Sequence, residues 1–339
     1  MSEQMRVAAL TALNGPLEIQ TRPVPTPGPG QALIRVHAAG VCHTDLHLSA
    51  GVPTSPSFPL VLGHEIAGEV VTSAAFAAGT RVLVYYYDGC GRCGWCAQGL
   101  ENLCRQANAK WGFDTDGGFA EYLVVPDRCL VAVPSSVPLD EAAVLGCSGT
   151  TGVHVVDTVA KVQSGETVTV IGVGGVGLAC VQVAAARGAR VIAVDPHEDS
   201  RAVAESLGAA HSVDPFAVDA VEAVRALVGG DGVDVVVDTV GNDHTPAQAI
   251  DMVRMQGRVV LVGYTDAPAR IDVATAVTRE VRLFGSVGAT LADTAEVLRL
   301  AEAGALRIPI ADRYSLSQVN EALDRLHSGK VAGRLVLRP

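Results

Sequence analysis

Cys90, Cys93, Cys96 and Cys104 recur in the string CGRCGWCAQGLENLC. Thiolates at that spacing in a Gly-punctuated loop can wrap one tetrahedral Zn²⁺, whose Zn–S bonds of about 2.3 Å need short, flexible connections. Four thiolates close the coordination sphere, so such a zinc would be structural and any chemistry would lie elsewhere. The competing readings are two disulfides, or buried thiols that happen to be close in sequence. A disulfide framework belongs to small secreted domains rather than to a chain of 339 residues. Cys129 and Cys180 read as buried small hydrophobes.

The remaining Cys and His residues of the first half offer a different metal site. GVCHTDLH supplies Cys42, His43, Thr44, Asp45 and His47, LGHEIAGE supplies His64 and Glu65, and LGCSGTTG supplies Cys147. Two thiolates and one imidazole from three distant segments would make an open Cys₂His site, with a fourth position left for water or substrate. Each residue alone is more often a core thiol or a backbone-bonded histidine, and only the triple carries the reading.

A third chemistry begins at VTVIGVGGVGLACVQVAAARG. Gly172, Gly174 and Gly177 fit G-x-G-x-x-G, directly after a strand pattern and opening a helix pattern. The first glycine permits a tight turn, the second a close approach of backbone to a pyrophosphate, and the third tight helix–strand packing. The next strand pattern, ARVIAVD, ends in Asp195, placed to accept from the 2′-hydroxyl of an adenosine ribose. That carboxylate favours NAD over NADP, whose 2′-phosphate it would repel. Arg201, six positions on, could approach such a phosphate and keeps NADP open. Gly175 and Val176 in the loop, and Val240 and Val262 after later strands, complete the dinucleotide set.

These residues need rigid supports, and three textures follow one another along the chain. Up to about Leu145, Pro and Gly clusters separate short alternating runs such as ALIRVHAAG and RVLVYYY, the mark of an irregular, strand-rich domain. From about Gly149 to Ser286, the strands TVTVIGV, ARVIAV, VDVVVD, RVVLVG and VRLFGS alternate with helical stretches, which predicts a parallel sheet with helices on both faces. Two amphipathic segments, 294–303 and 318–327, and a final strand GRLVLRP follow. A hydrophobic content of 49% supplies ample core for two domains. With no apolar run long enough to span a bilayer and no signal-peptide pattern at MSEQMRVAAL, the expected setting is cytoplasmic, away from membranes. The net charge of −11 argues against a nucleic-acid partner.

GVCHTDLH, GHE, the four-cysteine lobe, DGGFAEY, GCSGTTG and GVGGVG occur in one order over essentially the whole chain, and together they resemble the zinc-dependent medium-chain alcohol dehydrogenases. The resemblance implies two zinc ions per subunit. Cys42, His64 and Cys147 would hold the catalytic zinc, and Cys90, Cys93, Cys96 and Cys104 the structural one. Asp45 would orient His64, Glu65 would stand behind the metal, and Thr44 and His47 would carry the proton away. His43 and Arg334 would meet the cofactor pyrophosphate. Tyr86 resembles the aromatic wall of an alcohol pocket, with Phe58, Trp111 and Leu291 at its rim.

The fold implied is α/β: a GroES-like, partly closed β-barrel catalytic domain over 1–150 and 288–339, with a structural zinc lobe at about 88–106, and a doubly wound Rossmann NAD-binding domain over 151–287. The active site would lie in the cleft between them. The activity implied is interconversion of primary or benzylic alcohols with aldehydes or ketones by hydride transfer to NAD, in a homotetramer or homodimer joined near VRLFGS. Two alternatives stand beside it: an NADPH-dependent zinc reductase of conjugated or iminium substrates, and a non-enzymatic redox or nucleotide sensor. Intact Thr44 and His47 weigh against both. Two departures from the family pattern are a short turn at VTSAAFAAGTRV and Ser200 where a lysine often contacts the ribose.

Overall fold

A computed structural model describes residues 3–52, 57–265, 268–329, 331 and 333–339. Two compact units divide the chain, Met1–Thr150 with Ala289–Pro339, and Thr151–Gly288.

The hub of the first unit is the strand Gln31–Val41, whose outer half alternates buried and exposed positions while its last residues are all buried. It pairs antiparallel with Glu65–Thr72, Tyr122–Pro126 and Arg334–Arg338, so its end is gripped from both sides. The strand order runs Leu130–Ala132, Arg81–Val84, Glu65–Thr72, Gln31–Val41, Arg334–Arg338, Ile310–Ser315. A smaller sheet of Glu18–Pro23, Gln4–Leu10 and Leu60–Val61 lies beside it. Leu10, Ile34, Leu62, Ile66 and Phe119 are fully buried and belong to one apolar core fed by both sheets. This is the partly closed barrel that the resemblance implies.

The second unit holds a six-stranded sheet whose described pairings are all parallel. Counted along the chain, Thr167–Ile171, Arg190–Val194, Ala209–Val213, Val233–Asp238, Val253–Leu261 and Arg282–Gly285 lie in the order 3-2-1-4-5-6, the doubly wound arrangement of dinucleotide-binding folds. Runs such as TVTVI and VDVVVD are buried on both faces, as a sheet covered by helices requires. The third strand, Ala209–Val213, escapes the sequence reading. AAHSV is short and partly polar because it forms the sheet's edge, where His211 and Ser212 reach the surface. At the opposite edge all four residues of Arg282–Gly285 are exposed. Among the described residues, no helix is long and apolar enough to cross a membrane.

Candidate functional site

Backbone pairing places the first two expected ligands. Gly40 pairs with Glu65 across two antiparallel strands, so Cys42 and His64 leave the same end of that pair. Cys147 comes from a π-helical turn, Leu145–Gly149, that continues the helix Leu139–Val144. Ligand atoms of Cys42, His64, Glu65 and Cys147 all lie within 4.8 Å of one another, and all four residues are buried.

Local structure fixes the orientation of these side chains. Cys42 caps the helix His43–Ser49, and its N–H donates to Asp45 Oδ2 at 2.8 Å. The other carboxylate oxygen of Asp45 faces His64 Nδ1 at 3.4 Å and accepts from the Gly63 N–H at 3.4 Å. His64 is wholly buried, yet among the described residues neither ring nitrogen has an aligned hydrogen-bond partner. A buried imidazole nitrogen without a partner is costly unless something else binds it. With Asp45 beside Nδ1, Nε2 is the nitrogen left for a metal.

Electrostatics point the same way. Burial opposes charge on His64, but Asp45 and Cys42 outweigh it and raise the imidazole to about 10. Cys42 is held well below the usual thiol range by its hydrogen bond with Cys147, while that bond and burial push Cys147 well above it. Two thiols with one imidazole are a borderline-soft donor set that suits zinc.

Glu65 stands behind the ligands. Burial raises its carboxyl to about 7 against the pull of Arg334. Its Oε1 is hydrogen-bonded to Arg334, and its Oε2 has no partner among the described residues. A Cβ on Gly40 would fall 1.8 Å from that Oε2, so only glycine leaves room for the carboxylate. Arg334, which the resemblance expects to meet a pyrophosphate, is the other half of this pair. Here it is 5% exposed and turned onto Glu65, a carboxylate 269 residues away in sequence, where burial makes pairing the cheaper arrangement.

Thr44 Oγ1 lies 3.6 Å from Cys42 Sγ. His47 follows one turn later on the same helix and is partly exposed, and His43 is exposed at the helix start. Tyr85, Tyr86 and Tyr87 are buried with Cys42 and Cys147, and Phe113 and Leu291 pack against that group. The Phe113 and Tyr86 rings stack at 5.6 Å and 15°, and both face His64, at 4.9 Å and 5.3 Å. The sequence reading missed Phe113, because nothing in KWGFDTDGG marks which aromatic turns toward His64. It placed Trp111 at the pocket instead. Trp111 belongs to the barrel core, and its N–H donates to the Tyr86 carbonyl at 3.2 Å. Phe58 is 39% exposed and outside the aromatic group.

The four lobe cysteines meet in one loop. Sγ–Sγ distances are 3.5 Å for Cys93–Cys96, 3.8 Å for Cys93–Cys104 and 4.0 Å for Cys90–Cys96. Disulfides would require about 2.05 Å, whereas a tetrahedron with Zn–S bonds of about 2.3 Å has edges of about 3.8 Å. The spacing fits a metal, and none of the four is disulfide-bonded.

In the second unit two glycines of the fingerprint are required by the backbone, and the remaining one faces open space. Gly172 has φ +81°, a Cβ on Gly177 would fall 1.9 Å from the Gly172 carbonyl oxygen, and a Cβ on Gly174 would meet nothing within 4 Å. The turn is therefore tight, closely packed and open above Gly174, which begins the helix Gly175–Ala186 with Val176 in its first turn. Asp195 accepts from the N–H groups of Val173 and His197, both at 2.9 Å. Arg201 donates to the Asp195 carbonyl at 2.8 Å and pairs with Asp214 at 3.3 Å. Asp238, unremarked in the sequence, is fully buried and accepts from Val240 and Gly241, both at 3.0 Å, and from the Thr245 hydroxyl at 2.7 Å. It shapes the turn whose Val240 side chain closes over Gly172, where an added Cβ would meet Val240 Cγ2 at 2.6 Å. Val262, after the strand Val253–Leu261, donates its N–H to the Asp238 carbonyl at 2.9 Å.

Comparison with known proteins agrees with this geometry. Residues 28–135 match the alcohol dehydrogenase GroES-like domain, and residues 175–303 match the zinc-binding dehydrogenase family. An alcohol dehydrogenase of Geobacillus stearothermophilus is 34% identical over 98% of this chain and 99% of its own length. An NAD-dependent alcohol dehydrogenase of Sulfolobus acidocaldarius is 35% identical over 98% and 99%. A zinc-binding dehydrogenase structure from Sinorhizobium meliloti bound to NADP is 32% identical, covers 100% of both chains and superposes with a TM-score of 0.91. A closed cysteine lobe, an open Cys₂His cluster and a glycine-rich dinucleotide turn on one two-unit chain, together with full-length relatives, lead to one conclusion: the chain belongs to the zinc-dependent alcohol dehydrogenases of the medium-chain dehydrogenase/reductase superfamily.

Proposed function

We propose that this chain interconverts primary or benzylic alcohols with their aldehydes, with NAD as the preferred hydride acceptor and two zinc ions per subunit. The observation that carries the reading is the buried Cys42–His64–Cys147 cluster, with an unpartnered imidazole nitrogen, beside the stacked Tyr86 and Phe113 rings. When bound, zinc supplies the Lewis acidity that lowers an alcohol's hydroxyl pKa, and the nicotinamide accepts the hydride.

The chain's own residues do the rest. Asp45 holds the His64 ring and so selects the nitrogen offered to the metal. Thr44 presents its hydroxyl beside Cys42, where it would accept the alcohol proton while releasing its own toward the nicotinamide ribose, and His47, on the same helix, would hand a proton to solvent. Tyr86 and Phe113 give an aromatic substrate apolar faces and exclude water. NAD preference is supported by Asp195, a carboxylate where NADP carries phosphate, and by Arg201, already committed to Asp214 and the Asp195 carbonyl. A homo-oligomer joined along the exposed edge strand Arg282–Gly285 completes the reading.

The test is a panel of primary, secondary, benzylic and polyol substrates, each with NAD⁺ and NADP⁺. Turnover of primary or benzylic alcohols with NAD⁺ is expected. Silence with every alcohol would move the assignment to reduction of conjugated substrates with NADPH. Asp195→Gly should erode the NAD⁺ over NADP⁺ preference, and an unchanged ratio would remove the ribose argument.

A further inference from the structure

Lys110 is one of only three lysines in the chain. Its ammonium lies 4.7 Å from the Tyr87 ring centroid and 4.8 Å from that of Phe113, inside the range of about 6 Å over which a ring face attracts a cation. Among the described residues no carboxylate forms an ion pair with it. Asp114, the neighbouring acid, places Oδ1 on the Lys110 N–H at 2.7 Å and on the Thr115 hydroxyl at 3.0 Å. The Lys110 carbonyl accepts from the N–H groups of residues 113, 114 and 115 at 3.0, 3.1 and 3.3 Å, so the backbone from which the side chain springs is fixed.

The two rings under the ammonium differ in what else they touch. Tyr87 is buried against Tyr86, with centroids 4.4 Å apart. Phe113 is only partly buried, yet it stacks on Tyr86 and stands 4.9 Å from His64. The less buried ring has fewer packing neighbours to fix its position, so each contact it makes counts for more. The ammonium spans a buried ring and a partly buried one. Burial draws Lys110 below the usual lysine range, consistent with a charge housed by ring faces rather than by water.

We propose that Lys110 is a specificity-determining positioning residue: by bridging Tyr87 and Phe113 it sets how closely the Phe113 wall stands to His64 and to an alcohol bound there. The proposal rests on the alcohol dehydrogenase reading of the site. A benzylic ring would lie against that wall and a two-carbon alcohol would not reach it, so Lys110 acts on selectivity rather than on the chemical step.

The test compares zinc-loaded wild type, Lys110→Met, Lys110→Arg, Phe113→Leu and the Lys110→Met/Phe113→Leu double variant, with benzyl alcohol and ethanol as substrates. In Lys110→Met the KM for benzyl alcohol should rise about fivefold, while kcat and the KM for ethanol stay within about twofold. Lys110→Arg keeps a cation over the rings and should restore selectivity. In the Phe113→Leu background Lys110→Met should add nothing, because the partner through which it acts is gone. Equal changes for both alcohols, or an effect that persists without Phe113, would overturn the proposal. Near-ultraviolet circular dichroism of the resting protein gives a readout independent of turnover. Lys110→Met should weaken the aromatic signal and Lys110→Arg should keep it. If wild type turns over no alcohol, the reading of the site fails, and the spectra alone judge the clamp: an unchanged spectrum in Lys110→Met refutes it.

Discussion

The molecule gathers sulfur ligands twice, and by opposite routes. The lobe cysteines come from one short loop, are partly exposed, and meet one another and nearby backbone. The Cys42–His64–Cys147 cluster comes from three distant segments, is buried, and is braced by Asp45, Glu65 and Arg334. Four thiolates in one loop repel one another unless a cation neutralises them, so a metal bound there would contribute folding energy. A barrel can hold three ligands and leave a position open, so a metal bound there would be available for chemistry. On the proposed reading the first site would depend on its metal, and the second on the fold.

Substitutions should separate these dependences. The largest effect belongs to His64→Ala, which removes a ligand from a site that remains folded. We expect kcat/KM for alcohols to fall by at least ~10³-fold, about 4 kcal/mol, with the thermal unfolding midpoint little changed. A midpoint that collapses together with activity would mean that the buried site is structural as well. Next is Cys93→Ser in the lobe, where loss of the metal should lower the midpoint by roughly 10 °C and leave kcat per folded molecule close to wild type, measured by calorimetry and steady-state kinetics in parallel.

Asp45→Asn should lie between the two sites in character. It keeps the volume but weakens the grip on His64 Nδ1, and losses of about 10–100-fold in metal affinity or activity are expected for such partners. Titration with a competing chelator measures this, and an unaltered affinity would remove Asp45 from the account.

The smallest effect concerns the support of Cys147. Asp140, in the helix that leads to it, accepts from Arg313 at 2.6 Å and is also bonded to Arg338. Burial pushes its carboxyl up, but Arg338 and Arg313 outweigh burial and hold it below the usual range. A carboxyl with a depressed folded pKa adds stability that is complete above its unfolded value of about 4 and is lost as pH falls through the folded value. Asp140→Asn should therefore destabilise the chain by roughly 1–3 kcal/mol at pH 7 and flatten the acid limb of its stability profile in urea titrations.

Legibility in the sequence followed the same division. The lobe and the fingerprint are local, so spacing alone pointed to them, including the tight turn at Gly172 and the close packing at Gly177. The ligands Cys42, His64 and Cys147 could be gathered only because their segments occur together in a known family. What stayed hidden depends on which side chain meets which across the fold. Arg334 bonds Glu65, Phe113 rather than Trp111 faces His64, and Gly40 is glycine because Glu65 occupies its Cβ space. The strand Ala209–Val213 was hidden for a different reason. As an edge it needs few apolar residues, and its sequence has little strand signal.

The most direct test of the two-site account is to measure zinc per subunit and NADH formation together, in wild type, Cys147→Ser and Cys93→Ser. Two zinc ions are expected in wild type and one in each variant, with alcohol oxidation abolished in Cys147→Ser and retained in folded Cys93→Ser. Activity surviving in Cys147→Ser, or two zinc ions remaining in either variant, would contradict the assignment of one metal to chemistry and the other to the fold.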